Sequence, residues 1–332
     1  MKQRSNRFLL ALAAVAVASL ATAALATAAT IIGNGGPNNL TGTDQRDLIL
    51  ARGGNDSVSA LARSDRVLAG QGDDTVNGNA GADRLLGGNG DDTIDGGAGH
   101  DLARGGQGDD TVKGGGGFPG RRGDRLFGNL GNDSIAGGPG YDLIRGNAGE
   151  DQVNGGIGCD RIFAGPDNDV IAGGPGNNVN RFRCERLHGG KGNDTSTGGA
   201  GRDFMSGGFD NDIQAGGGGS DKLFANQGQD KSYGGDGRDV LWALSRKDVT
   251  AIGDTEGDEL WGDAGRDRFR VRDGERDLIH CGDGRDQVLA DQFDQVDADC
   301  ERVVRRDITS LTQVEDAPEN ETEDPPEDND ED

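Results

Sequence analysis

The chain has little of what a compact enzyme is built from. Only 32% of its 332 residues are hydrophobic and 4% are aromatic. A globular domain of that length needs more apolar surface to offset its backbone entropy. Basic charge is also short: 34 Lys and Arg stand against 59 Asp and Glu, a net charge of −25, which argues against nucleic acid as a partner. The three histidines (His100, His188, His280) are scattered, and no Cys or His cluster has zinc spacing. Gly-x-Ser-x-Gly, His-Glu-x-x-His and Walker sequences do not occur. Gly-x-Gly-x-x-Gly matches lack the strand–helix unit that a dinucleotide site needs.

Long apolar runs are missing except at the start. Lys2, Arg4 and Arg7 precede an apolar stretch from Phe8 to about Leu25, and Ala26-Thr27-Ala28 is an A-x-A-like site. We read residues 1–28 as a cleaved secretory signal; the alternative is an uncleaved membrane anchor, because Phe8 to Thr30 carries no charge. No later run could span a bilayer, so the expectation is a secreted, extracellular protein, either released or associated with the cell surface. Four cysteines fit an oxidising destination and allow three pairings. We favour Cys159–Cys184 and Cys281–Cys300, neighbours along the chain.

Glycine is abundant, at 62 residues, and it falls on a beat of nine. Asp47, Asp56, Asp65, Asp74, Asp83, Asp92, Asp101 and Asp110 are evenly spaced, and around most of them the chain reads Gly-Gly-x-Gly-x-Asp-x-apolar-x, as in Gly87 to Asp95. After five extra residues the beat resumes at Asp124, Asp133, Asp142, Asp151, Asp160 and Asp169. It slips at Asn178 and Glu185, then returns at Asp194, Asp203, Asp212, Asp221, Asp230 and Asp239. Short repeats of fixed period make a solenoid. A 3.6-residue helical period fails against nine with three glycines.

Each unit divides into a six-residue turn and a three-residue strand. Glycine allows the positive φ angles of a tight turn. Of the three strand residues only the middle one points inward, giving a core stack of Val58, Val67, Val76, Leu85, Ile94 and their successors. Two units complete a coil, so residues eighteen apart stack about 4.8 Å apart. Asp56, Asp74 and Asp92 then share one edge, and Asp65, Asp83 and Asp101 the other. A row of carboxylates is costly without cations, and paired carboxylates with turn carbonyls make an oxygen cage that suits Ca²⁺ better than Mg²⁺.

These repeats resemble the haemolysin-type, or RTX, calcium-binding nonapeptide, over roughly residues 38–241. The resemblance implies an all-β, right-handed parallel β-roll with several Ca²⁺ ions between successive turns. It places the metal ligands at Asp56, Asp74, Asp83, Asp92, Asp101, Asp110, Asp124, Asp133, Asp142, Asp151, Asp160, Asp169, Asp194, Asp203, Asp221, Asp230 and Asp239. Asp65 follows a turn without glycines, and Asp212 has lost its fourth-place Gly; we leave both out. The array is read as residues 29–241, followed by degenerate repeats and a C-terminal cap over 242–306, where Trp242 and Trp261 fall, and a disordered acidic tail over 307–332. That tail holds eleven acidic and no basic residues from Glu315 onward.

The function expected from the sequence is a non-enzymatic structural or interaction module that folds on extracellular calcium. A cell-surface adhesin or matrix component is the alternative within that class. An enzyme acting on an extracellular polymer through one face of the roll is the other, with Arg181–His188 its only plausible groove.

Overall fold

The computed structural model describes residues 27–117, 122–175, 185–243 and 257–310. Most of the expected signal, the acidic tail from 311 onward, Cys184 and the centre of the five-residue insertion lie outside them. So does the Arg181–Cys184 half of the groove.

The described chain is wholly β. It winds through two sheets in alternation, and every strand pairs in parallel with the strand one coil before and one coil after. The first sheet has 15 strands, from Thr30–Ile32 to Arg302–Arg305. The second runs from Asn39–Thr41 through Thr93–Gly99 and Lys231–Gly237 to Gln295–Val296. Register follows the repeat: Val67 pairs with Leu85, Leu85 with Ala103, and Val76 with Ile94.

Between the sheets lies a thin core with one large side chain per strand. Val58, Val67, Val76, Leu85, Ile94, Leu126, Ile144 and Ile162 are completely buried. The next inward place, two residues on, holds Ala or Gly throughout the repeats, as at Ala51, Ala69 and Gly87, and widens to Val271 and Cys281 only near the C-terminal end. Three successive inward places of the second sheet are polar: Ser196, Gln214 and Ser232. Gln214 and Ser232 remain tolerable because they bond to each other and to backbone. The Ser232 hydroxyl donates to Gln214 Oε1 at 3.3 Å, and Gln214 Nε2 donates to the carbonyl of Phe224 at 3.1 Å.

The turns show why glycine recurs. Gly88 has φ +130°, and a Cβ there would stand 2.1 Å from the carbonyl oxygen of Gly70, one coil below. The same backbone persists where glycine is absent: Leu61 and Arg63 hold φ of 78° and 79° in the turn before Asp65. Left-handed conformations of this kind cost on the order of 1–2 kcal/mol per non-glycine residue. The neighbouring coils impose them.

Residues 257–305 continue both sheets in register, with Val240 paired to Arg268 and Glu259 to Leu278. The tryptophans do not cover the end of the core. Trp242 stacks on Phe224 at 4.4 Å on the outer face of the first sheet, and Trp261 lies between Tyr233 and His280 on the outer face of the second. Phe269 points inward and is fully buried. Cys281 and Cys300 form a disulfide, as the sequence leads one to expect. Cys159 is also disulfide-bonded. Among the described residues no helix is long and apolar enough to cross a membrane.

Candidate metal centres on the edges of the roll

The repeat places its Asp at the end of each turn, just before the strand, so the carboxylates collect along the two edges where the sheets meet. Along one edge the backbone N–H of Asp56 donates to Asp74 Oδ1, Asp74 to Asp92, Asp92 to Asp110 and Asp110 to Asp133, all at 2.7–2.8 Å. That edge continues through Asp151, Asp169, Asp194, Asp212 and Asp230. Along the other edge the same bond links Asp65, Asp83, Asp101, Asp124, Asp142 and Asp160, and later Asp203, Asp221 and Asp239. All seventeen Asp residues named from the sequence therefore stand in these ladders, and all are buried.

The ladders hold more than was named. Asp47, Asp65 and Asp212 make the same bonds as their neighbours despite irregular turns. Glu185 takes the place of an Asp: its Oε2 accepts from the N–H of Asp160, and its own N–H donates to Asp203. The clue in the sequence is Glu185-Arg186-Leu187, which repeats the acid–x–apolar end of a unit. Beyond Asp239 the ladders run on through Asp258 and Asp277 on one side and Asp267, Asp286 and Glu301 on the other. Coils closed by these bonds contain 18, 23, 25, 28, 19 or 15 residues. The ladder, not the residue count, keeps the pitch.

Each ladder carboxylate spends one oxygen on this bond. The second is buried without a hydrogen-bond partner in Asp74, Asp83, Asp92, Asp101, Asp110, Asp133 and most of the others. It points at the first glycine of its own turn: a Cβ on Gly87 would lie 2.2 Å from Asp92 Oδ2, and one on Gly105 2.1 Å from Asp110 Oδ2. A carbonyl shares that position: Gly105 O would lie 2.7 Å from the same Cβ on Gly87. Carboxylate and carbonyl oxygens thus meet where glycine leaves out a Cβ.

Buried anions in rows are unstable unless neutralised. Burial pushes the Asp92, Asp101 and Asp110 carboxyls up to about 7, and the carboxylates one coil away raise them further; the backbone N–H bond opposes this. Burial, then Asp160 beside it, carries Glu185 up to about 9. A metal-free ladder would hold protons near neutrality. An orphaned buried oxygen repeated every coil, beside carbonyl oxygen in a space kept open by glycine, fits a hard divalent cation. Bound calcium supplies the counter-charge that lets these carboxylates stay ionised.

A parallel solenoid edged by such ladders belongs to the class of calcium-binding β-rolls. The chain is a member of the RTX calcium-binding nonapeptide repeat family, which matches residues 32–62, 59–94, 86–118, 127–158, 145–179, 185–214 and 215–241, more than half of its length. It therefore binds several Ca²⁺ ions through its repeats. Comparison with curated proteins finds no match.

Proposed function

We propose that this chain is an exported, non-enzymatic interaction module: its ladder aspartates hold Ca²⁺, and the calcium-folded roll then binds an anionic polysaccharide along one flat face, at or outside the cell surface. A single observation carries the reading. Six successive strands of the first sheet each present one arginine outward: Arg84, Arg104, Arg125, Arg145, Arg161 and Arg186. Neither outward column of that sheet contains an Asp or Glu. On a protein of net charge −25 these six cations line one face, between two acidic edges. The opposite face carries Ser57, Thr75, Thr93, Thr111 and Ser134 in the equivalent column.

Aromatic rings hold these guanidinium groups in place. Arg104 lies 5.2 Å from the Phe127 centroid, and Arg145 and Arg161 lie 5.7 and 5.6 Å from that of Phe163. Rings covered in this way offer no face for base stacking, which favours a polymer of charged sugars over single-stranded nucleic acid. Arginine forks pair with carboxylate in a two-point geometry. A repeat of about 4.8 Å between strands lets one extended chain meet them in series.

The test is binding of residues 29–332 to hyaluronan, a linear carboxylated glycan, with dextran and single-stranded DNA as comparisons, in Ca²⁺ and in chelator. The reading expects hyaluronan binding in Ca²⁺ alone, weakened about tenfold or more by Arg104→Gln with Arg145→Gln. Equal binding of dextran, tighter binding of DNA, or indifference to the double substitution would overturn it.

A further inference from the structure

Near the C-terminal end the turn grammar changes. The stretch Arg272-Asp273-Gly274-Glu275-Arg276-Asp277 ends in a ladder residue, yet it has Asp273 and Glu275 at the second and fourth places, where the repeats have glycine. Both side chains turn inward: Asp273, Glu275 and Asp277 are 0%, 4% and 0% exposed. One oxygen from each lies within 4.8 Å of the others, the only trio of carboxylates so placed among the described residues. Local bonds fix the turn. The Glu275 N–H donates to Asp273 Oδ1 at 3.0 Å, and the Gly274 N–H donates to Asp291 Oδ2 at 2.9 Å. A second observation points to a ligand. Asp277 Oδ2 is buried in this cluster with no hydrogen-bond partner, as is Oδ1 of Asp294, whose Oδ2 accepts from the Asp291 N–H at 2.6 Å.

We propose that Asp273, Glu275 and Asp277 form a separate Ca²⁺ site, built differently from the nonapeptide sites and lying outside the residues that match the repeat family. In the repeats, glycines at the second and fourth places leave backbone carbonyls to complete the oxygen cradle. Here two of those donors are replaced by carboxylate side chains, so the site holds three formal negative charges in one turn. Calcium affinity rises with the number of charged ligands and the rigidity of the site. The all-oxygen set, without His or thiolate, selects a hard cation rather than zinc. This site therefore fills at lower Ca²⁺ than the repeats do.

Calorimetric titration of the disulfide-intact chain, residues 29–332, with Ca²⁺ tests this. The expected isotherm has one ion per chain binding about tenfold or more tighter than the remaining set. Asp273→Asn with Glu275→Gln removes that one ion and leaves the weaker set. Asp273→Gly with Glu275→Gly restores the glycine pattern of the repeats; it keeps the β circular dichroism signal at saturating Ca²⁺ and converts the tight ion into one of the weak class. A wild-type isotherm with no tight class, or a tight ion that survives both double variants, overturns the proposal.

Discussion

The backbone N–H of Asp74 donates to Oδ1 of Asp92, one coil further on, at 2.8 Å, while Oδ2 of Asp92 is buried with no hydrogen-bond partner. One carboxylate thus does two jobs. Its first oxygen sets the pitch of the roll, and its second creates a demand for positive charge. Fold and ion binding are coupled through the same side chain, and binding to the folded state alone becomes folding free energy.

Calcium should control the fold. In excess chelator the far-UV circular dichroism of residues 29–332 is expected to lose most of its β signal. It should return cooperatively at about 10⁻⁴–10⁻³ M Ca²⁺, the range of extracellular modules, and not with Mg²⁺ at the same concentration. An unchanged β signal in chelator would show that the apolar stack and disulfides suffice.

Protons should partly replace calcium. Burial above all raises the carboxyls of Asp92, Asp133 and Asp151 to about 7 from an ordinary 3.8, so the metal-free roll binds more protons than the unfolded chain. Their contribution to folding is fully present below the ordinary 3.8 and is lost progressively as pH rises to about 7. In chelator the β signal should be stronger at pH 5 than at pH 8, and Ca²⁺ affinity should move the opposite way. Titrations in two buffers of different ionisation enthalpy should register protons released on calcium binding.

Gly88→Ala should cost about 1–3 kcal/mol in the calcium-loaded state, because φ of +130° and the carbonyl of Gly70 leave no place for a Cβ. Thermal melting at saturating Ca²⁺ reads it directly. Gly35→Ala, where nothing lies within 4 Å of the added carbon, is the control and should melt like the wild type.

Ser196→Val should stabilise the roll by about 1 kcal/mol. Ser196 is 5% exposed and stacks under Ile171, in a column that holds Val or Ile from Val58 to Ile171. Gln214→Leu should do the reverse, since it strips the Phe224 carbonyl of a buried donor. Urea midpoints of the two variants, moving in opposite directions, check the pair.

Much of this was legible because the repeat is strict. Val58 to Ile171 occupy the core as their spacing implies, and the eighteen-residue stacking of Asp56 on Asp74 follows from two strands per coil. What escaped the sequence depended on neighbours rather than on the unit itself. Glu185 stands eighteen residues before Asp203, but it joins Asp160 across a coil of 25 residues, a link that spacing does not reveal. Leu61 and Arg63 look unable to make a turn, but coils above and below hold them in the backbone that glycine adopts elsewhere. The arginine face was hidden because Arg84, Arg104, Arg125 and Arg145 alternate between two columns, so that their spacing departs from the eighteen-residue coil. Only strand pairing brings them into line.

Coils of 18, 23, 25 and 28 residues close with the same ladder bond. Distance along this molecule is therefore measured in turns, as on a screw, and not in amino acids. Coils of 23, 25 and 28 residues leave the carboxylates that follow them in the same ladders as coils of 18. The roll is a ruler to which new parts attach at its edges, while its graduations stay fixed.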